Sequence, residues 1–591
     1  MAKLAVILCE ASPGPRELRL GRILDFFGVP WIRVNASKLG DLGSNSSEYA
    51  VFGTVNTITT FLRVIQGTTP PVFRADAFYA FLDDERSLSL SALQSLFGDP
   101  NLSLQDAPAG NISLHVSDRE PDMAGPTAGL NLSLRLGSED AVLTGLPVGE
   151  ESKFTKIISV GDHSVFVRFQ HDGIPIFFCA SSQMVDIDKP ITRGFYDVKD
   201  HFCSAVPLVM FIRSLFPEVA WRPQELGACL IIDDPLLKNR YGFCDFQKLR
   251  NLMRGHSFTT DIAFIPWNWR RTSHAASKFF RSESDLFSVS IHGCDHTGGE
   301  FGTSSREVLH TKAQLALSRM LKHKARTGIE HDSIMVFPQG VFSSECPEVL
   351  KQNGFLAAVN TELVPVDTQN SRTRISDVWD AAIMTYGDFP IFTRRYAFHG
   401  IENFAFDLLL GKPCLIVAHH DNFKDGGATI IELIEKIGSL NCSLKWRPLG
   451  DVIRRACRRR VNGSGGGEVE MYSNELVIEN SSDRAIEVRI RKRKGQKDDV
   501  SEILTDDNPT KWSTEDGYLF FGDQICSRSE KRIRVSYRQQ PGIGEMHRSL
   551  LTETAVATRR LLSEFRDDCL SRSPFLSVFA NKLNSMLKKA I

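Results

Sequence analysis

Apolar and polar positions repeat with two different periods along this chain, and each change of period marks a new element. KLAVILC (residues 3–9) is an apolar run that reads as a first strand. A Pro/Gly-rich loop follows, then the amphipathic stretch RELRLGRILDFFG and a short strand in PWIRV. That strand–loop–helix–strand opening predicts a parallel sheet. Further strand-like runs are YAVFGT, FVRFQ and IPIFFCA, and the last two flank His171-Asp172-Gly173, a predicted hairpin turn.

From Ala228 the alternation is more regular. Apolar runs recur in ACLIID, TDIAFIPW, FSVSIHG, SIMVFPQG, LAAVNT, PIFTRRY and CLIVAHH. Helical periods fall between most of them, in FQKLRNLMRG, HAASKFFRS, residues 305–326, PEVLKQNG, FAFDLLLG and TIIELIEKIG. Seven or so such units predict a barrel over residues 226–460, rather than an open sheet. In such a barrel the catalytic groups lie at the carboxyl ends of the strands. Ahead of it, residues 1–215 read as an α/β domain of flavodoxin-like or amidotransferase-like shape with an antiparallel addition. That region has no G-x-G-x-x-G, no P-loop and no G-x-C-x-G turn, which argues against amidotransferase chemistry.

The barrel is expected to end in LGDVIRRACRRR, read as a helix whose arginines suit the negative end of the helix dipole. NGSGGGE, residues 462–468, reads as a flexible linker. Residues 468–540 alternate in short runs (EVEMYS, ELVIEN, AIEVRIRKRK, GYLFFG, KRIRVSY) that predict a small β-sandwich, with Lys492-Arg493-Lys494-Gly495 as a solvated hairpin tip. Residues 545–591 carry two helical patterns, LLTETAVATRRLLSEF and FLSVFANKLNSMLKKA, suited to docking on another domain, a second copy or a protein partner.

Composition changes this picture little. With 591 residues the chain exceeds what one core can organise. A net charge of −1 argues against a dedicated nucleic-acid binder. The longest apolar stretch, around residues 205–216, contains Arg213, so no membrane span is expected. Twelve cysteines include no C-x-x-C pair, and Cys179, Cys229 and Cys414 lie inside apolar strands; buried free thiols and a cytoplasmic location are expected.

The chemistry gathers where the barrel strands end. ACLII is followed by Asp233-Asp234, FSVSI by His292 and then His296, SIMV by Phe337-Pro338-Gln339-Gly340, and CLIVA by His419-His420-Asp421. Histidine and carboxylate donors in this number suit a divalent metal, with zinc expected, and zinc-assisted hydrolysis. Adjacent strand residues face opposite ways, so at most one of His419 and His420 enters the site, and the spacing does not choose between them. Trp267 and Trp269, in IPWNWRR, suit either stacking on a sugar ring or packing at the rim. Asp295 suits a turn or an outer-shell contact to a histidine.

This order of motifs resembles the NodB-type polysaccharide deacetylases over about residues 226–455. The resemblance implies a distorted (β/α)7-type barrel and a metal-dependent hydrolase that removes acetyl groups from N-acetylated amino sugars, with Asp233 as base, Asp234, His292 and His296 as metal ligands, and His419 or His420 as acid. The chain departs from the family's pattern in Ile231-Ile232-Asp233-Asp234-Pro235 in place of T-F-D-D-G, in Gly293 where Ser or Thr is usual, and in an FPQG that lacks the motif arginine. Arg394 or Arg395 is a candidate substitute, counted with Trp267, Trp269 and Pro338 among the substrate-side residues. Asp377 and Trp379 of SDVWD weakly resemble the fourth motif. Two other readings stay open: a deacylase for a small soluble precursor or ester, and a barrel without turnover that binds carbohydrate or scaffolds an assembly.

Overall fold

The computed structural model describes residues 3–570 except residues 11, 38–47, 67–74, 107–109, 137–143, 148–153, 182, 193, 369–370, 462–466, 496–498 and 539–549. Most of the linker reading and the second C-terminal helical pattern lie outside the described residues.

In the N-terminal unit the parallel strands run in the order Trp31–Asn35, Leu4–Cys9, Tyr49–Thr54, Ala75–Phe81 and Ile174–Cys179. The sheet then continues antiparallel through His163–His171, Thr155–Val160, Gly110–Val116 and Asn131–Leu136. The predicted hairpin turn is present: Asp172 and Gly173 take φ of 50° and 79°, the left-handed pair that a two-residue hairpin loop requires.

One face of this sheet has its own core, with Val51, Phe61, Phe78 and Phe178. The other face merges with the barrel into a single continuous core. The joint is the helix Phe202–Leu215, which contains most of the apolar stretch noted in the sequence; the run Ala205–Ile212 is buried throughout, which is why it is apolar throughout. Its one charge, Arg213, donates to the carbonyls of Trp221, Leu409 and Leu410, and burial lowers its pKa to about 9.

The barrel follows the expected order. Leu226–Asp233, Thr260–Phe264, Phe287–His292, Ile334–Val336, Ala357–Asn360 and Ile391–Thr393 pair in parallel one after another, and Cys414–Ala418 returns to the other edge of the first strand. The barrel closes through one parallel bridge, Arg395 to Ile416. Leu444–Trp446 extends the first strand's pairing at its start. Capping residues set the intervening helices: Asp245, Ser273 and Ser305 each accept backbone N–H bonds at the starts of Phe246–His256, His274–Ser282 and Arg306–Thr327.

Two antiparallel-rich sheets form the C-terminal sandwich around Val469, Leu476, Ile490, Ile503, Phe521 and Ile533. The arginine run departs from expectation here. The helix stops at Arg455, and Cys457–Val461 is a strand of the sandwich, where Arg458 is buried against Glu470 at 2.8 Å and Asp380 at 3.4 Å. Lys492 departs too: its strand runs on through Arg493, and buried Lys492 donates to the Tyr472 carbonyl at 2.6 Å instead of facing solvent.

Beyond the sandwich, the helix Leu550–Phe565 and a wider turn Arg566–Leu570 pack back on the barrel. None of the twelve cysteines forms a disulfide, and Cys179, Cys229 and Cys414 are buried. No helix among the described residues is long and apolar enough to cross a membrane.

Candidate metal centre

The first barrel strand ends at Asp233, and Asp234 turns the chain with φ 78°, a left-handed conformation that aspartate tolerates better than most residues. That turn separates the two carboxylates. Asp234 Oδ1 lies 3.4 Å from His292 Nε2 and 3.0 Å from His296 Nε2. One donor atom from each of the three falls within 4.8 Å of the others.

Two observations test whether this set fits a metal. His292 Nδ1 lies 2.9 Å from the Val336 carbonyl, which accepts its proton and leaves Nε2 with a free lone pair toward Asp234. Asp234 Oδ1 is buried and has no hydrogen-bond partner, as an oxygen that serves a cation would be. The residues fit a divalent ion.

Electrostatics agree with the geometry. Burial disfavours charge on Asp234, but the two histidines outweigh it and hold its carboxyl well below the usual range. Burial also opposes charge on His292, yet Asp233 and Asp234 raise its pKa. For His296 burial wins and the pKa falls, helped by the positive charges of Arg560 and His292.

The loop between the histidines is built around an acid that sequence reasoning missed. Glu300 accepts backbone N–H bonds from Cys294, Asp295 and His296 at 2.9, 3.1 and 3.0 Å, and Lys312 lies 3.3 Å from it. Gly293 has φ 66°, and a Cβ there would meet Glu300 Oε1 at 2.2 Å and Pro338 Cγ at 2.5 Å, so a larger residue is excluded. Pro338 is thus a buried wall of this loop. Asp295 lies in the bend between the histidines, is buried and accepts from Arg319 at 2.7 Å.

Asp233 is engaged by a fork. Arg394 Nη1 and Nη2 donate to its two oxygens at 2.6 and 2.7 Å, both residues being buried. Burial alone would raise the Asp233 pKa; Arg394, with help from His292 and His419, brings it below the usual value. Strand alternation sorts the two arginines. Arg394 turns into the barrel, while Arg395 turns out to Asp407 at 2.6 Å and to the Tyr196 carbonyl at 3.0 Å. Arg394 therefore meets a carboxylate of the chain at the strand ends.

The two late histidines also separate. His419 Nε2 is 3.9 Å from Asp233 Oδ2, on a ring stacked against Tyr396, and its side chain is 36% exposed. His420 opens the short helical turn His420–Phe423, packs against Tyr241 and Phe243, and places Nε2 3.4 Å from Asp567 Oδ1 of the C-terminal segment. Trp267 and Trp269 are half-buried, with the cations of Arg271 and of Arg270 and Lys322 over their rings. Asp377 caps the helix Ile375–Trp379 by accepting from the Arg374 backbone at 2.7 Å, and Trp379 is buried against Phe26 and Phe406, so neither belongs to the site.

A second missed acid lies in the barrel interior. Asp261 accepts from Ser288 and Ser290 at 2.7 and 2.5 Å, and burial raises its pKa to about 7.

No protein-family model and no curated protein sequence matches the chain. Among solved structures, Agd3, a novel carbohydrate deacetylase, is similar over 90% of this chain and 98% of its own, at 10% identity and a TM-score of 0.46. The catalytic domain of a peptidoglycan N-acetylglucosamine deacetylase from Eubacterium rectale is similar over 38% of this chain and 89% of its own (13% identity, TM-score 0.23). A family 4 carbohydrate esterase from Streptomyces lividans is similar over 36% and 86% (15% identity, TM-score 0.22). What each residue of this chain does rests on the geometry above.

Proposed function

We propose that this chain is a metal-dependent hydrolase that removes an acetyl group from an N-acetylated amino sugar. One observation carries the reading: Asp234, His292 and His296 converge as a donor set beside the Asp233–Arg394 pair and His419, all at the carboxyl ends of strands of one barrel. A divalent ion held by those three ligands, zinc being expected, supplies Lewis-acid polarisation of a carbonyl oxygen and acidifies a water.

The other work falls to side chains. Asp233 is held ionised by Arg394, which fixes the carboxylate plane while each oxygen keeps a lone pair to accept a proton from the attacking water. The water oxygen bonds to the acetyl carbon and the carbon–nitrogen bond breaks. His419, half-exposed on the rim, suits delivery of a proton to the departing amine, whereas His420 is engaged by Asp567. The products are acetate and a free amino sugar. A small substrate, or the end of a longer one, is favoured by the C-terminal segment, which occupies the mouth beside Tyr241, Gly242 and His420.

The test is bound metal per chain together with acetate release from N-acetylglucosamine and its oligomers, in wild type, Asp234→Asn and His419→Ala. Near one ion per chain, lost in Asp234→Asn, with release lost in both variants, is the expected result. Metal binding without release from any acetamido sugar leaves a carbohydrate-binding scaffold. No metal after zinc is offered overturns the hydrolase reading.

A further inference from the structure

The C-terminal helix and its continuation turn one stripe toward the barrel: Glu553, Val556, Arg560, Glu564 and Asp567, spaced three or four residues apart. The neighbours of Arg560 on this stripe are engaged. Glu553 lies 3.9 Å from Arg319, Val556 is buried, Glu564 bonds Lys238 and Arg271, and Asp567 accepts from Tyr241 at 2.7 Å and faces His420 at 3.4 Å.

Arg560 differs. Its residue is only 8% exposed, yet among the described residues its sole side-chain bond runs from Nη2 to Ser563 on its own helix, at 3.2 Å. Nε is buried without a partner, and among the described residues no carboxylate comes within ion-pair distance of the guanidinium. Two nearby cations are neutralised: Arg566 by Asp567 at 2.7 Å and Arg319 by Asp295 at 2.7 Å. A buried guanidinium without an anion is costly and is rarely left so. Its position on the stripe, between the contact to Arg319 and the contacts to Tyr241 and His420, directs it at the barrel mouth, and its charge reaches both Tyr241 and His296.

We propose that Arg560 recognises an anionic group of the substrate, a carboxylate or a phosphate carried close to the acetylated amine. This names a substrate class for the deacetylase reading and rests on that reading; anion binding itself does not. The planar fork of arginine matches either anion bidentately. A neutral N-acetylated sugar would leave the guanidinium unpaired, so an N-acetylated sugar bearing a phosphate or an acid group is the expected substrate.

The test uses the full chain after chelator treatment, so that an anion cannot bind as a ligand of a metal. Inorganic phosphate, glucuronate and acetate are titrated calorimetrically into wild type, Arg560→Gln, Arg560→Lys and Arg559→Gln. Saturable binding of phosphate or glucuronate, weakened at least tenfold in Arg560→Gln, less in Arg560→Lys and within twofold of wild type in Arg559→Gln, is the expected result. The tighter arm tells phosphate from carboxylate. Amide exchange of residues 553–570 in wild type, with and without the anion, guards against a variant that fails to fold, and slowed exchange is expected. No binding in wild type, equal binding in Arg560→Gln, or no slowing over that helix overturns the proposal. Failure of acetate release with anion binding intact would sink the deacetylase reading alone.

Discussion

Arg394 holds Asp233 by both terminal nitrogens, at 2.6 and 2.7 Å, across 161 residues of sequence. The pair is buried, so breaking it from one side leaves a lone charge. Arg394→Met should cost about 3–5 kcal/mol of stability. Adding Asp233→Asn should recover part of that loss, because the isolated carboxylate is gone. Urea denaturation of the two single variants and the double variant measures this; purely additive losses would show that the two residues do not act as a pair.

Glu300 shapes the loop that carries His296 by accepting three backbone N–H bonds. Glu300→Ala leaves those donors unpaired and should weaken metal binding by about 10–100-fold, the usual effect of losing a residue that supports metal ligands. Competition with a chromogenic chelator reads the affinity, and unchanged affinity would contradict the role.

Metal and fold should be linked. Zinc at about 100 times its Kd adds about 2.7 kcal/mol to the stability of a chain that binds it only when folded. The rise in Tm should appear in wild type and vanish in His296→Ala. An equal rise in both would move the ion elsewhere.

Asp261 gives a pH dependence with a definite sign. Its pKa is raised to about 7 in the folded chain, against about 3.9 when unfolded. Between those values the folded state holds a proton that the unfolded state has released, so this group makes stability fall as pH rises from about 4 to about 7 and level off above. Asp261→Asn should remove that slope. Denaturation of wild type and variant at pH 5 and pH 7.5 compares them, and parallel changes would exclude Asp261 as the source.

His419 and His420 should respond differently. His419→Ala should lower acetate release by about 10²–10⁴-fold with little change in stability. His420→Ala removes the contact to Asp567 and should speed proteolysis within residues 550–570. The reverse pattern would exchange their assignments.

The barrel was legible in the sequence because its strands are short apolar runs that end in polar groups, with amphipathic helices between them. The donor set was legible for the same reason, since Asp234 directly follows one strand, His292 ends another and His296 lies four residues beyond it. Alternation could say that only one of Arg394 and Arg395 faces inward, but not that the partner is Asp233, because a face is a local property and a partner is not. Glu300 and Asp261 carry no pattern of their own; burial makes them what they are. Arg458 was read as part of a helix end and Lys492 as a solvated tip, because a run of cations does not itself show the Glu470 carboxylate or Tyr472 carbonyl that a neighbouring sheet supplies. Tyr241 and Asp567 meet across 326 residues, beyond the reach of any local signal.

The largely apolar helix Phe202–Leu215 makes modularity at the level of sequence differ from modularity at the level of thermodynamics. A truncation beginning at Leu226 would keep every proposed ligand and strip the barrel of one wall of its core. The N-terminal unit is therefore a structural cofactor of the barrel, supplied in cis, and exchanging it for another domain would require transplanting that helix with it.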